Sequence, residues 1–309
     1  MLSAALSQVL PFFIIVGVGW LAARTRLLDE RVAEGLASYV FWIGFPSLLI
    51  NSLAQGTEFG IGLPKALIAY GVCAAAILGL TLIIGRIARW PERSRAAAGL
   101  AASLGNSAFL GLPLAAALFG PTASAPAAAL VALDFIFVLS LGIFAVARAG
   151  GRSASRAALG VARNPVIVGA VIGLALALTH TTLPPLSAKP LTALAATGSP
   201  VALIALGAVL GQPRRSAGLR RIVELPVFLA ALLKLIVFPA LVYALSRALG
   251  VPPDIRRVAI LLATCPTAVN VFIQAKAYNV YADGAARIVA LTTGLALVTL
   301  TALAVGLAG

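Results

Sequence analysis

The fold class predicted by this sequence is an all-α polytopic membrane protein, with ten transmembrane helices in two inverted five-helix repeats. Three observations carry that expectation. Of 309 residues, 61% are hydrophobic and only 10% are charged, and mean hydropathy is +1.06; a soluble domain carries about a quarter charged residues. Ten apolar stretches are long enough for the helix of about 20 residues that crosses a hydrocarbon core of about 30 Å. Prolines and glycines also recur at fixed spacing. Pro11, Gly19, Gly44 and Pro46 stand 154 residues before Pro165, Gly173, Gly198 and Pro200. Further along the spacing is 162, pairing Pro64 with Pro226, Pro91 with Pro253 and Arg95 with Arg257. It then becomes 158, where Val131-Ala132-Leu133 echoes Val289-Ala290-Leu291. A stepwise drift of this kind is the trace of a duplicated unit with short loop insertions.

The first span, 4–23, is uncharged and is followed by Arg24 and Arg26. A cleaved signal peptide has its positive charges in front, so this segment is expected to be a true span. The second, 36–54, contains Trp42, and the third, 65–85, ends near Trp90, a residue suited to an interfacial belt. The fourth, 96–118, is interrupted by Gly105, Gly111 and Pro113, and the fifth, 125–147, carries Asp134. The sixth, 165–181, closes on His180, which is expected to be solvated, and the seventh is 190–211. The eighth, 224–246, opens on Glu224, beside Arg220 and Arg221, and holds Lys234 near its middle. The ninth, 257–277, contains Pro266 and ends near Lys276; the tenth, 286–307, is flanked by Asp283 and Arg287 at the spacing of a surface pair. Cys73 and Cys265 lie far apart in apolar runs and are expected to be unpaired.

Sixteen Lys and Arg flank the ends after spans one, three, five, seven and nine, against five on the other face. By the positive-inside rule the first face is cytoplasmic and both termini lie outside, in a plasma or inner membrane. The net charge of +14 is therefore membrane-flanking charge, not a nucleic-acid surface. The organisation is a first repeat at 1–147, a basic cytoplasmic linker at 148–164 and a second repeat at 165–309. Five spans per repeat force the second copy to start on the opposite face. Such inverted copies are the basis of alternating access.

The two interrupted spans correspond in the repeat. Pro113 cannot donate to the carbonyl of Phe109, and Pro266 likewise frees that of Leu262. Gly105, Asn106 and Ser107 adjoin the first break, and Thr267 and Asn270 the second. Free backbone groups at that depth survive only against protein or a water-filled cavity. If both helices unwind there, two half-helix N-termini suit a carboxylate and the opposing carbonyl ends suit a cation. The alternative is close packing at the glycines with ordinary proline kinks.

Here a resemblance enters. The stretch GNSAFLGLPL, Gly105 to Leu114, resembles the fourth-span signature of the auxin efflux carrier family, and CPTAVNVFIQAKAYNV, Cys265 to Val280, resembles its ninth-span signature. The resemblance covers the whole ten-span chain and implies a fold like that of bile-acid symporters and sodium/proton antiporters, with broken helices 4 and 9 crossing. It also implies transport of organic anions such as malonate, malate or auxin-like acids, and a homodimer. Asn106 and Pro113 match the first motif, and Pro266 and Asn270 the second. At the 162 spacing, however, Asn106 faces Ala268 and Asn270 faces Ala108, so the asparagines are not repeat equivalents.

Asp134 and Lys234 lie at bilayer depth, where a charge costs on the order of 3 kcal/mol and calls for a partner. An Asp134–Lys234 pair, similar to the carboxylate–lysine arrangement of sodium/proton antiporters, would couple protonation to movement or serve as a static ion pair. Lys276 is either a substrate contact or a snorkelling residue. The expectation is a secondary transporter of small organic anions, proton-coupled, with a sodium-coupled symporter as the alternative and no cofactor. An enzyme is disfavoured by a single histidine and the lack of HExxH or clustered carboxylates. No GxxxxGK[ST] loop supports ATP-driven transport, and no signalling domain supports a receptor.

Overall fold

The computed structural model describes residues 2–54, 62–212 and 224–308. These form α1 (Leu2–Arg24), α2 (Glu30–Ala54), α3 (Leu63–Ile87), α4 (Glu92–Ser103), α5 (Ser107–Phe119), α6 (Pro121–Ala149) and α7 (Ala154–Ala162). Then follow α8 (Pro165–Leu178), α9 (Pro185–Gly211), α10 (Leu225–Ala248), α11 (Pro253–Thr264), α12 (Val269–Ala277) and α13 (Ala282–Ala308). Among the described residues, seven helices are long and apolar enough to cross a bilayer, or eight if α7 and α8, bent by 55°, count as one. The expected fourth and ninth segments are not single rods. Each is a pair of short helices, α4 with α5 and α11 with α12, split at 104–106 and 265–268. The segment 148–164, expected as a linker, contains α7, whose start is capped by Ser153 accepting from the Arg156 amide at 3.4 Å. Arg214, Arg215, Arg220 and Arg221 of the expected basic loop lie outside the described residues.

Three helices hold a π turn just before a proline. The turns Val40–Gly44, Ser107–Gly111 and Leu233–Val237 precede Pro46, Pro113 and Pro239. A proline has no N–H for the carbonyl four residues back, so the ladder is disturbed there and can widen to i→i+5 spacing. A fourth π turn, Asp134–Val138, has no proline after it. It begins at the buried aspartate.

The helices fall into two packed groups. One comprises α1, α2, α8 and α9; the other comprises α3 to α6 and α10 to α13. Within the first group, contacts recur with repeat-related partners. A side chain at Gly19 would strike Ile204, and one at Gly173, 154 residues on, would strike Ile50, which stands 154 before Ile204. Gly44 and Gly198, themselves 154 apart, meet each other: a Cβ on Gly44 would lie 3.3 Å from the Gly198 Cα. Small residues let the backbones approach this closely where lipid supplies no hydrophobic drive between helices. Large apolar side chains face outward instead, Trp42 at 60% exposure among them.

Two glycines separate packing from propensity. A Cβ at Gly173 would sit 2.8 Å from the Leu49 carbonyl oxygen, whereas one at Gly79 meets nothing within 4 Å. Gly173→Ala is expected to cost about 1–3 kcal/mol by overpacking, and Gly79→Ala to be neutral or stabilising by up to ~1 kcal/mol. Thermal unfolding of the two variants in detergent checks the contrast; equal shifts would refute the packing argument.

Candidate functional site

The two interruptions pair with each other. After α4, Leu104 is extended (φ −97°, ψ 117°); after α11, Cys265 is also extended (φ −56°, ψ 142°). Gly105 and Thr267 then face each other in an antiparallel bridge. The Asn106 amide donates to the Pro266 carbonyl at 2.7 Å, and the Ala268 amide donates to the Leu104 carbonyl at 3.3 Å. These bonds exchange under the 162 spacing, which relates 104 to 266, 105 to 267 and 106 to 268. Backbone groups released from both ladders are thus satisfied by one another.

Side chains secure the crossing. The Thr267 hydroxyl donates to the Ala101 carbonyl at 2.8 Å, and the Thr267 amide donates to Thr292 Oγ1 at 3.1 Å. The Phe109 carbonyl, freed by Pro113 as the sequence implied, accepts from the Ser199 hydroxyl at 2.5 Å. The Leu262 carbonyl, freed by Pro266, accepts from the Cys265 amide at 3.2 Å. Phe109 also packs on Phe45, ring centres 3.9 Å apart, so the crossing is anchored to α2 and α9 of the other helix group.

Asp134 and Lys234, both fully buried, approach this crossing on separate partners. Asp134 Oδ2 accepts from the Ser107 hydroxyl at 2.6 Å and from the Tyr70 hydroxyl at 3.1 Å. Lys234 Nζ donates to the Ala263 carbonyl at 3.1 Å and lies 4.5 Å from the Phe238 ring centre. The expected Asp134–Lys234 ion pair is not formed. The hydroxyls satisfy one oxygen of the carboxylate, the α11 carbonyl draws the ammonium, and the Tyr70 and Phe238 rings, centres 5.2 Å apart, link the two. Asn270 is 1% exposed; its Oδ1 accepts from Gln274 Nε2 at 3.3 Å. Among the described residues, Asp134 Oδ1 and Asn270 Nδ2 are buried without a partner.

Thus Gly105, Asn106, Ser107, Pro266, Thr267 and Asn270 gather at the two breaks, with Asp134 and Lys234 beside them and Pro113 shaping the turn that follows. Lys276 is not brought there. It lies at the far end of α12, half exposed, in an ion pair with Glu34. One further expectation needs correction: Arg287 pairs with Glu224 at 2.7 Å and not with Asp283, while Glu224 stands at the head of α10, where the sequence placed it. The Tyr281 hydroxyl also donates to Glu224, at 2.6 Å. Burial pushes Tyr281 up to about 12, so it stays a donor at neutral pH. Cys73 and Cys265 are buried and unpaired, as expected, and no cluster of three metal-ligating side chains occurs among the described residues. His180 is exposed with a positive φ of 49°.

Sequence reasoning missed Tyr70, Ser199 and Thr292. The repeat itself held a signal for the last, because the 158 spacing that aligns Val131-Ala132-Leu133 places Thr292 opposite Asp134. Tyr70 and Ser199 had none, since their partners are 64 and 90 residues away.

The sequence profile of a family described as Membrane transport protein matches residues 4–158 and 154–304. The chain is also 28% identical over 306 residues, 96% of its own length and 93% of its relative's, to a protein of Rhizobium meliloti (strain 1021) named "Putative malonate transporter".

The Ser107 bond to Asp134 is shorter than the Tyr70 bond, and charge-assisted bonds are the strong ones. Ser107→Ala is therefore expected to cost on the order of 1–3 kcal/mol, more than Tyr70→Phe. Paired melting curves measure this, and a larger loss in Tyr70→Phe would reverse the assignment.

Proposed function

Because the chain belongs to the membrane transport protein family, we propose that it carries small organic anions by alternating access, with malonate the first substrate to test. The observation that carries this reading is the pairing of two broken helices at a point where unpartnered polar atoms and buried charges meet. Counted with α4/α5 and α11/α12 as one broken span each, and α8 as the sixth, the helices give ten spans in two inverted sets. The exchanged contacts of Gly19 and Gly173 support that count, as do the self-contacts of Gly44 with Gly198 and of Gly105 with Thr267. Equivalent residues meet each other only on a two-fold axis. The repeat boundaries are proposed at 147 and 165, where the fifth expected span closes and the sixth opens.

The chemistry suits a carboxylate. Helices α5 and α12 begin at the crossing without a side-chain cap. Their first N–H groups and positive dipole ends favour an anion, and the Asn270 amide nitrogen is an unused donor. Asp134 is the proposed proton carrier. When protonated it keeps its place through Ser107 and Tyr70 and loses the charge that opposes an incoming anion. Movement of the crossing group, α3 to α6 and α10 to α13, against α1, α2, α8 and α9 would then expose the site to either face. The Ser199 bond to the Phe109 carbonyl is one contact between the two groups. Both termini are proposed to lie outside the cytoplasm of a plasma or inner membrane, on the arginine distribution.

Transport in proteoliposomes tests the reading, with mono- and dicarboxylates offered under separately imposed proton and sodium gradients. Asn106→Ala and Asn270→Ala are expected to lower uptake at least tenfold in protein that still elutes as a single folded species. Parental uptake by both would remove them from the site. Asp134→Asn is expected to abolish the acceleration given by a more acidic donor compartment. A variant retaining the parental pH profile excludes Asp134 as the proton carrier.

A further inference from the structure

The crossing is symmetric in its backbone and asymmetric in its charge. Helix α11 ends at Thr264, so its last carbonyls lack intrahelical donors and carry the negative end of the helix dipole. The donor that would continue the ladder to the Ala263 carbonyl is the Thr267 amide, and that amide is diverted to Thr292 Oγ1 at 3.1 Å. Lys234 Nζ takes its place at 3.1 Å. In the other repeat the corresponding carbonyl is Ala101, 162 residues earlier, and it is capped by a neutral group, the Thr267 hydroxyl, at 2.8 Å.

The reason the two ends differ is legible. Thr267 corresponds to Gly105, which has no side chain with which to cap Ala263. The emptied space is where the ammonium lies, since a Cβ on Gly105 would sit 2.9 Å from Lys234 Nζ. The remaining partners follow the same division. Asp134 corresponds to Thr292 at the 158 spacing, and Lys234 corresponds to Val72 at 162. Thr292 offers a neutral hydroxyl and Val72 lies 53% exposed, away from the crossing, so neither charged group has a charged counterpart across it.

We propose that Lys234 is a tethered counter-cation: its ammonium fills the position that a free monovalent cation would take at the α11 carbonyl end. Wild-type protein then needs no sodium, and removing the ammonium creates a site for a small monovalent cation such as Na⁺ or methylammonium. The inference deepens the transport reading and rests on it, because it names the coupling cation that the crossing excludes.

The decisive experiment is thermal unfolding of purified wild type, K234A and K234Q in sodium, methylammonium or N-methyl-D-glucamine chloride at equal ionic strength. Wild type is expected to melt at one temperature in all three salts. K234A is expected to gain several degrees in sodium or methylammonium over N-methyl-D-glucamine, as a ligand that binds only the folded state requires. K234Q, whose amide can still donate to Ala263, should show a smaller gain and serves if K234A is not recovered. Sodium-specific stabilisation of wild type, or variants blind to the cation, would overturn the proposal. Proteoliposome uptake by wild type should likewise be unchanged when sodium is replaced, and a sodium requirement would also overturn it. The melting arm needs no substrate. A negative result there leaves the transport reading standing, whereas no uptake in any ion mixture with the melting result intact strikes the transport reading alone.

Discussion

A chain that leaves the helix inside lipid must still find partners for its amides and carbonyls, because no water is at hand to take them. Here two chain segments meet that constraint together. Leu104, Gly105 and Asn106 lie against Pro266, Thr267 and Ala268, and each segment supplies the donor or acceptor that the other has lost. Neither break is stable alone, so the two must form together. Much else follows from this contact: Thr267 is fixed to Ala101 and Thr292, Ser199 reaches the Phe109 carbonyl, and Lys234 reaches Ala263.

Charge is then distributed unequally about that contact. A buried carboxylate and a buried ammonium are expensive separately, yet the structure does not join them in one ion pair. It gives each a set of neutral dipoles, two hydroxyls for Asp134 and a helix-terminal carbonyl and an aromatic face for Lys234. Groups held this way can change partner without dismantling a salt bridge.

Packing also sets the two helix groups apart. The group of α1, α2, α8 and α9 is held by glycines that bring backbones into contact, as at Gly19, Gly44 and Gly173. Its contacts with the crossing group include Phe45 on Phe109 and Ser199 on the Phe109 carbonyl, besides the packing of α1 on α13 and of α2 on α6. At the membrane surface, Glu34 with Lys276 is a further link between the groups, and exposed pairs of this kind are weak. Family membership and the resemblance seen in the two motifs agree on a membrane transporter.

Local chemistry alone marked the apolar segments, the places where α4/α5 and α11/α12 are interrupted, and the recurrence of Pro and Gly that reads as a repeat. Apolar length, the missing proline N–H and the recurrence of Pro and Gly are properties of short stretches and need no knowledge of neighbours. The expected partners of Asp134 and Arg287 had no such basis, and for both the structure supplied others. Asp134 bonds Tyr70 and Ser107, Arg287 bonds Glu224, and Lys276 bonds Glu34. Those choices depend on contacts between residues 27 to 242 positions apart, where burial, reach and competing acceptors decide. Only the tertiary structure decided that a missing side chain at Gly105 leaves room for the ammonium of Lys234, because that space exists only once the two halves have met.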